Sequence, residues 1–479
     1  MRNAIFTAIC LVVAAATFGI LRLIGNDYLF FAGYVVLQYV VLAMAWNVLG
    51  GYTGYVNFGS AAFFALGAYS TVALHKFDPG KPLEVCIPFG ACFDLDLSVL
   101  APVFPLPIPV LIVFAAIFSG AVGLGMGYLT LRLRGAFFAI ATLAMAVVLQ
   151  TFVINWSYVG GARGAYVIRP NEIAFIGPYI HYLFLLMLGL AVMAIVAARG
   201  IERSRLGYGF AAIRDDELAA EAAGVPTLKL KLIATTISGA LMGMAGAPFP
   251  YYIGYVQPAT AFGLEYAVNS IAMPMIGGTT YWVGPLIGAI LLGVLQQFAT
   301  VTISSAVNLL IVGLLIVDCV IIAPNGILGL IHGRGIARPV VADPAVFILL
   351  YVLNTVPIFY LHEQGAGARV IELIFWGILI YVSVARGRIV GARWLPALPI
   401  AAAVLNGVIL SILLLLSVIP GLGVLDRVHD ALANLAGGVP GIAYLPLVSL
   451  VIMIAALGCG LLLKSDADRT AKPAGARAA

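Results

Sequence analysis

The stretch AARGIERSRLGYGFAAIRDDELAAEAAGVPTLKLK, residues 197–231, sets the frame for the whole chain. Six basic and five acidic side chains gather here, in a protein of 479 residues of which only 9% are charged and 63% are hydrophobic. Apolar segments flank it on both sides, each long enough to cross a bilayer core, which takes about 20 helical residues. Leu206, Phe210 and Ile213 recur at i, i+4 and i+7, while Arg214, Asp215, Asp216, Glu217 and Glu221 fill the rest of the circumference. That is the pattern of an amphipathic helix, and Gly224 and Pro226 stop it. A polar helix set between two membrane spans reads either as a solvated surface helix or as a docking surface for a partner. Most other connections on its side are minimal, and a long ordered loop is usually functional, which favours docking.

Working outward, the mean hydropathy of +1.10 places the chain in a bilayer. Its uncharged stretches are rich in Gly, Ala and Leu and lack the ten-residue alternation of outer-membrane strands, so the spans are helices. They are predicted at 4–24, 30–48, 57–75, 101–131, 135–155, 179–199, 230–253, 266–277, 284–301, 304–323, 345–361, 370–385, 396–417 and 441–463. The expected fold is therefore all-α and polytopic, with about 14 transmembrane or re-entrant helices. The 266–277 piece is too short to cross comfortably and is flanked by Pro274 and Gly277-Gly278, as in a broken or re-entrant element. The run after Met1-Arg2-Asn3 is too long for a signal peptide and is read as a retained first helix. With both termini cytoplasmic, 18 of the 25 basic residues fall inside and 7 outside, and flipping the chain inverts that ratio.

A composition break at 332–343 divides the chain. Residues 1–332 form a core of about ten helices, 333–344 a cytoplasmic linker, and 345–463 four additional spans. The Ala/Pro/charge-rich tail, 464–479, is expected to be disordered and cytoplasmic. Spans 345–463 carry few polar side chains and read as an appendage.

Several function classes drop out. The chain has no GxxxxGK[ST] run to cradle a nucleotide's phosphates, and no Ser/His/Asp or carboxylate constellation, so no catalytic residue is assigned. His75, His181, His332, His362 and His429 form no ligand pair, so no metal is assigned either. No basic segment with interleaved aromatics points to nucleic acid. Cys10, Cys319 and Cys459 sit in apolar spans as small core residues. Cys86 and Cys92 share one loop on the outer side, where a disulfide is permitted; two free thiols are the alternative. Asp318, the one carboxylate well inside an apolar run, reads as paired or snorkelling rather than ion-coupling. The block GGYTGYVNFGSAAFFALGAYS (50–70) sets Thr53, Tyr55, Asn57 and Ser60 among glycines. Polar groups at membrane depth face partners or a water-filled path, so these four are candidates for a solute path; close packing through glycine is the other reading.

Four ordered blocks then resemble one family. SRLGYGFAAIRDDELAAEAAGVPTLKLKLIA (204–234), with EAAG at Glu221–Gly224, resembles the cytoplasmic signature of ATP-binding-cassette importer permeases of the branched-chain amino acid (LivM) type. Residues 50–70, LRLRGAFFAIATLAM (131–145), and GGTTYWVGPLIGAILL (277–292) with APNGILGL (323–330) resemble its other signatures. GGARG (160–164) resembles an external glycine-rich turn of that family. The resemblance covers about residues 30–332. It implies a permease subunit in the inner (plasma) membrane that forms half of a path for a small polar solute and binds no cofactor itself. Its implied partners are a second homologous permease, two cytosolic ATPases carrying ATP-Mg and an external solute-binding protein. The implied ATPase-docking residues are Arg205, Gly207, Phe210, Ile213, Arg214, Asp215, Asp216, Glu217, Glu221 and Gly224. Tyr55, Asn57, Ser60 and Ala136 depart from the family's usual residues, so its leucine, isoleucine and valine specificity is not carried over with the rest. The rival readings are an ion-coupled secondary transporter and a membrane scaffold subunit.

Overall fold

The computed structural model describes residues 2–77, 83–86, 92–95, 106–133, 135–168, 172–173, 177–302 and 326–331, with a few isolated positions beyond. The chain divides into two units, residues 1–297 with 325–333 and residues 298–324 with 334–479. The expected linker at 333–344, the spans at 304–323 and 345–463, the tail and Asp318 lie wholly or almost wholly outside the described residues.

Six helices among the described residues are long and apolar enough to cross a membrane. The chain opens with α1 (Arg2–Ile24), which is largely exposed and seats Phe18 against Phe30 and Phe184. Asn26 then caps α2 (Asp27–Thr53), its side chain accepting from the Tyr28 N–H at 3.0 Å. From Gln38 to Thr53 every residue of α2 is buried. The following α3 (Ser60–His75) is buried from Ser60 to Val72 and is apolar on all faces, as expected of a helix enclosed by others. After a short antiparallel ladder, β1 (Leu83–Cys86) with β2 (Cys92–Leu95), come α4 (Ile108–Thr130) and α5 (Ala136–Asn155). Their outward faces expose Val113, Ile117, Leu129, Phe137, Ile140 and Phe152. In water so broad an apolar surface would aggregate; in lipid it is the solvated face.

Two-residue strands β3 (Ala165–Tyr166), β4 (Glu172–Ile173) and β5 (Gly177–Pro178) precede α6 (Tyr179–Glu202). The polar insertion is two helices, α7 (Arg205–Asp215) and α8 (Glu217–Ala222), and it leads into α9 (Thr227–Gly246). Pro248 breaks the line, so the span predicted at 230–253 is α9 followed by a short α10 (Phe249–Ile253). Then come β6 (Tyr255–Val256), α11 (Pro258–Ala261), α12 (Leu264–Gly277), α13 (Val283–Thr302) and α14 (Gly326–Ile331). The short element expected at 266–277 is α12, a helix of 14 residues with Pro274 inside it. At 1.5 Å per residue it reaches about 21 Å, short of the ~30 Å hydrocarbon core.

Helix α9 is the hub, packing against α2, α3 and α4. It does so through small residues. A Cβ on Gly67 of α3 would lie 2.7 Å from the Cα of Gly243, so these helices touch backbone to backbone, the close approach that small residues allow in lipid. The connections collect at two ends of the bundle. At one, His75 meets Tyr251 at 3.1 Å, His181 meets Asp27 at 3.0 Å, and β3 pairs with β6. Those small ladders are additions that the helical periodicity did not signal. At the other end lie α7, α8 and the α12–α13 turn, where the Trp282 N–H donates to Glu202 Oε2 at 2.8 Å and Arg199 stacks 3.7 Å over the Phe6 ring.

Candidate functional site

The charged stretch folds into a helical hairpin whose turns are built from its own side chains. Ser204 caps α7, its hydroxyl accepting from the Gly207 N–H at 3.4 Å. Asp216, in extended backbone between the two helices, caps α8 by accepting from the N–H groups of Leu218 at 2.9 Å and Ala219 at 3.1 Å. Such a side-chain oxygen satisfies the free N–H groups of a first helical turn. Gly224 ends α8 at a φ of 86°, a left-handed position that favours glycine. Thr227 at the start of α9 donates to Glu221 Oε1 at 2.7 Å and ties the end of α8 to the next span.

The hairpin has an inner and an outer face. Phe210 and Ile213 are buried and seat α7 against α2, α6 and α9. Arg214 is half-buried, 3.6 Å from Asp215, while Arg205, Asp215, Asp216, Glu221 and Gly224 are exposed. Two apolar side chains also face out: Tyr208 is 75% and Leu218 63% exposed. Neither is among the docking residues that the resemblance implies. Neither Tyr208 nor Leu218 shows its orientation in the sequence, because both fall beside, not on, the i, i+4, i+7 stripe.

Glu217 belongs to the inner face. Its Oε1 lies 2.7 Å from Lys231 Nζ on α9, and the pair is well buried, with 13% and 3% of the side chains exposed. Lys231 Nζ also donates to the Tyr55 hydroxyl at 3.2 Å and to the Leu131 carbonyl at 3.4 Å, and the Tyr55 hydroxyl donates to Glu217 Oε2. The ammonium stands 4.7 Å from the Tyr55 ring centroid, and that ring packs edge-on against Phe138 at 5.1 Å. A surface ion pair contributes about 0–1 kcal/mol. A buried one sits in another regime, where removing one partner costs about 3–5 kcal/mol because the other charge is stranded.

The four residues proposed for a solute path lie at this same end. Thr53 donates to the Leu49 carbonyl of its own helix, and Asn57 Oδ1 accepts from the Gly59 N–H at 2.8 Å to shape the turn into α3. Ser60 and Ser270 of α12 share a hydrogen bond of 2.9 Å, and Tyr55 is in the Lys231 cluster. Next to them, Thr53, Tyr55, Phe58, Ala136, Arg214 and Glu217 help line a cleft of about 480 Å³. Deeper in the bundle, Gln296 Nε2 donates to Asn269 Oδ1 at 2.9 Å and Asn269 Nδ2 to the Tyr39 hydroxyl at 3.4 Å. This polar seam links α2, α12 and α13. Its one signal in the sequence is single amides inside apolar runs. The backbone register of β1 and β2 sets Cys86 opposite Cys92. Among the described residues no group of His, Cys, Asp and Glu is placed to hold a metal ion.

A bundle of apolar helices with a capped polar hairpin rooted at one end defines a multi-pass membrane protein. The chain belongs to the family described as the branched-chain amino acid transport system / permease component, whose model matches residues 28–320. The resemblance read from the four sequence blocks is borne out. The chain is 26% identical over 315 residues to the high-affinity branched-chain amino acid transport system permease protein LivM of Salmonella typhimurium, covering 60% of this chain and 67% of that one. It is 25% identical over 311 residues to the probable branched-chain amino acid transport permease protein LivH of Methanocaldococcus jannaschii, covering 60% of this chain and 88% of that one. A shorter match, 35% identical over 108 residues, is to the autoinducer 2 import system permease protein LsrC of Klebsiella pneumoniae, with 22% of this chain and 31% of that one covered. No solved structure matches the chain.

Proposed function

We propose that this permease is the transmembrane subunit of an ATP-driven importer in the inner membrane, with the α7–α8 hairpin in the cytosol. It forms half of a path for a small polar solute of the branched-chain amino acid kind. The observation that carries the reading is the hairpin itself: self-capped, seated by Phe210 and Ile213, and presenting Tyr208 and Leu218 outward among charges. Exposed apolar side chains ringed by polar ones mark interaction surfaces, and Tyr is enriched among the few residues that dominate such contacts. In this reading they enter a groove on a cytosolic ATPase, which holds the ATP-Mg. A second homologous permease completes the path, and an external binding protein delivers solute at the β3–β6 end. The connection from Thr53 to Ser60 and its cleft form the inner mouth. Relatives named for branched-chain amino acid and autoinducer 2 transport support the class of cargo.

The test is purification of the full-length chain from its native membranes with whatever binds it, and uptake of radiolabelled leucine by cells. Wild-type protein is expected to bring down two ATPase chains. Tyr208→Asp with Leu218→Asp is expected to lose them, and uptake with them, at unchanged membrane levels. Retention of both ATPases by the double variant refutes the docking assignment.

A further inference from the structure

We propose that Lys231 is the positioning residue that links the cytosolic hairpin to the membrane helices, with Glu217 and Tyr55 as its two ends. The inference rests on the importer reading above and names the part of the permease through which a push on the hairpin travels. An ammonium has three N–H donors. Here they meet three acceptors on three different elements: Glu217 at the first turn of α8, Tyr55 in the α2–α3 connection, and the Leu131 carbonyl at the end of α4. Lys231 itself rides on α9. Four elements from three stretches of the chain, around residues 55, 131 and 217–231, are thus joined at one atom.

The ring is closed and charged. Tyr55 accepts from Lys231 and donates to Glu217, so both carboxylate oxygens of Glu217 are engaged. Hydrogen bonds with ionised partners are about twice as strong as neutral ones, and burial keeps water from replacing them. The carbonyl at the end of α4 adds the negative pole of that helix dipole, which favours a cation. Lys229, two residues earlier, is exposed and takes no part. Burial at Lys231 is therefore a property of the position, not of the lysine-bearing segment.

On the membrane side the link meets a stiff element. Helix α9 touches α3 backbone to backbone at Gly67 and Gly243, so a displacement of its first turns is passed on rather than absorbed by side chains. On the cytosolic side Asp216 fixes the turn from which Glu217 projects. Movement of the docked hairpin accordingly reaches the 54–59 connection through Tyr55 and α9 through Lys231, both at the inner mouth.

The test uses the full-length permease with its co-purified ATPases in lipid nanodiscs, and ATP with vanadate as the probe. Hydrogen–deuterium exchange is followed in two segments, 205–222 and 54–59, in the same sample. The native complex is expected to respond in both. Lys231→Met and Lys231→Gln are expected to keep the response at 205–222 and ATP hydrolysis, while the response at 54–59 falls about tenfold, within the range of coupling between sites. Tyr55→Phe removes one hydroxyl and serves if the charge variants fail to assemble; it is expected to weaken the 54–59 response alone. A merely structural role would lower both responses together. An undiminished 54–59 response in the variants that assemble overturns the link. Absence of any response at 205–222 in the native complex overturns the importer reading, and the link with it.

Discussion

Replacing Gly67 with alanine tests whether the bundle is held by backbone contact between α3 and α9. The added Cβ would stand 2.7 Å from both the Cα and the carbonyl carbon of Gly243, and nearer still to its carbonyl oxygen. Carbon atoms rest at about 3.5–4.0 Å, so the helices must part by about 1 Å. No side chain can rotate away, because the obstructing atoms are backbone. Overpacking of this kind costs about 1–3 kcal/mol, and separation of α3 from α9 also loosens the contact of Gly246 with Phe64 one turn on. Thermal unfolding of the purified protein reads the effect. For a chain of 479 residues the shift is about 1 °C per kcal/mol, so the midpoint is expected to fall by about 1–3 °C. Gly125 on α4 is the control, since a Cβ there meets nothing within 4 Å. Alanine at that position is expected to be neutral or to stabilise by up to about 1 kcal/mol through helix propensity. An unchanged midpoint for Gly67→Ala, or an equal loss for Gly125→Ala, refutes the packing argument.

Two further outcomes are expected. Cys86 and Cys92 are expected to form a disulfide, and the backbone register of β1 and β2 sets them opposite each other. Alkylation without reductant should label neither thiol, and full labelling of both contradicts the disulfide. Asp216→Ala removes two N-cap hydrogen bonds and should destabilise α8 by about 1 kcal/mol. Faster amide exchange confined to 217–222 is the expected signature; unchanged exchange there refutes the capping role.

Much of this protein was written in local pattern. Long uncharged runs marked α2, α4, α5 and α6 to within a few residues at most ends, because hydrocarbon demands that each span satisfy its own backbone. Helical periodicity marks the one polar insertion and its stop at Gly224, but the single helix it predicts is broken at Asp216, whose side chain caps the second half instead. Four ordered blocks sufficed to place the chain in its family. The division of labour among the charged residues was decided elsewhere. Asp215, Asp216 and Glu217 look equivalent in sequence, yet one is exposed beside Arg214, one caps a helix, and one is buried against Lys231. Lys229 and Lys231 are as alike on paper, and the turn of α9 sends one to solvent and the other inward. Tyr55 reads in its block as a candidate pathway residue, and nothing local shows that its hydroxyl meets a lysine 176 residues away. Local pattern depends on neighbours within a turn or two, so it fixes helices and their apolar stripes. Which charges meet across the bundle depends on how the helices pack, and only the tertiary structure decides that.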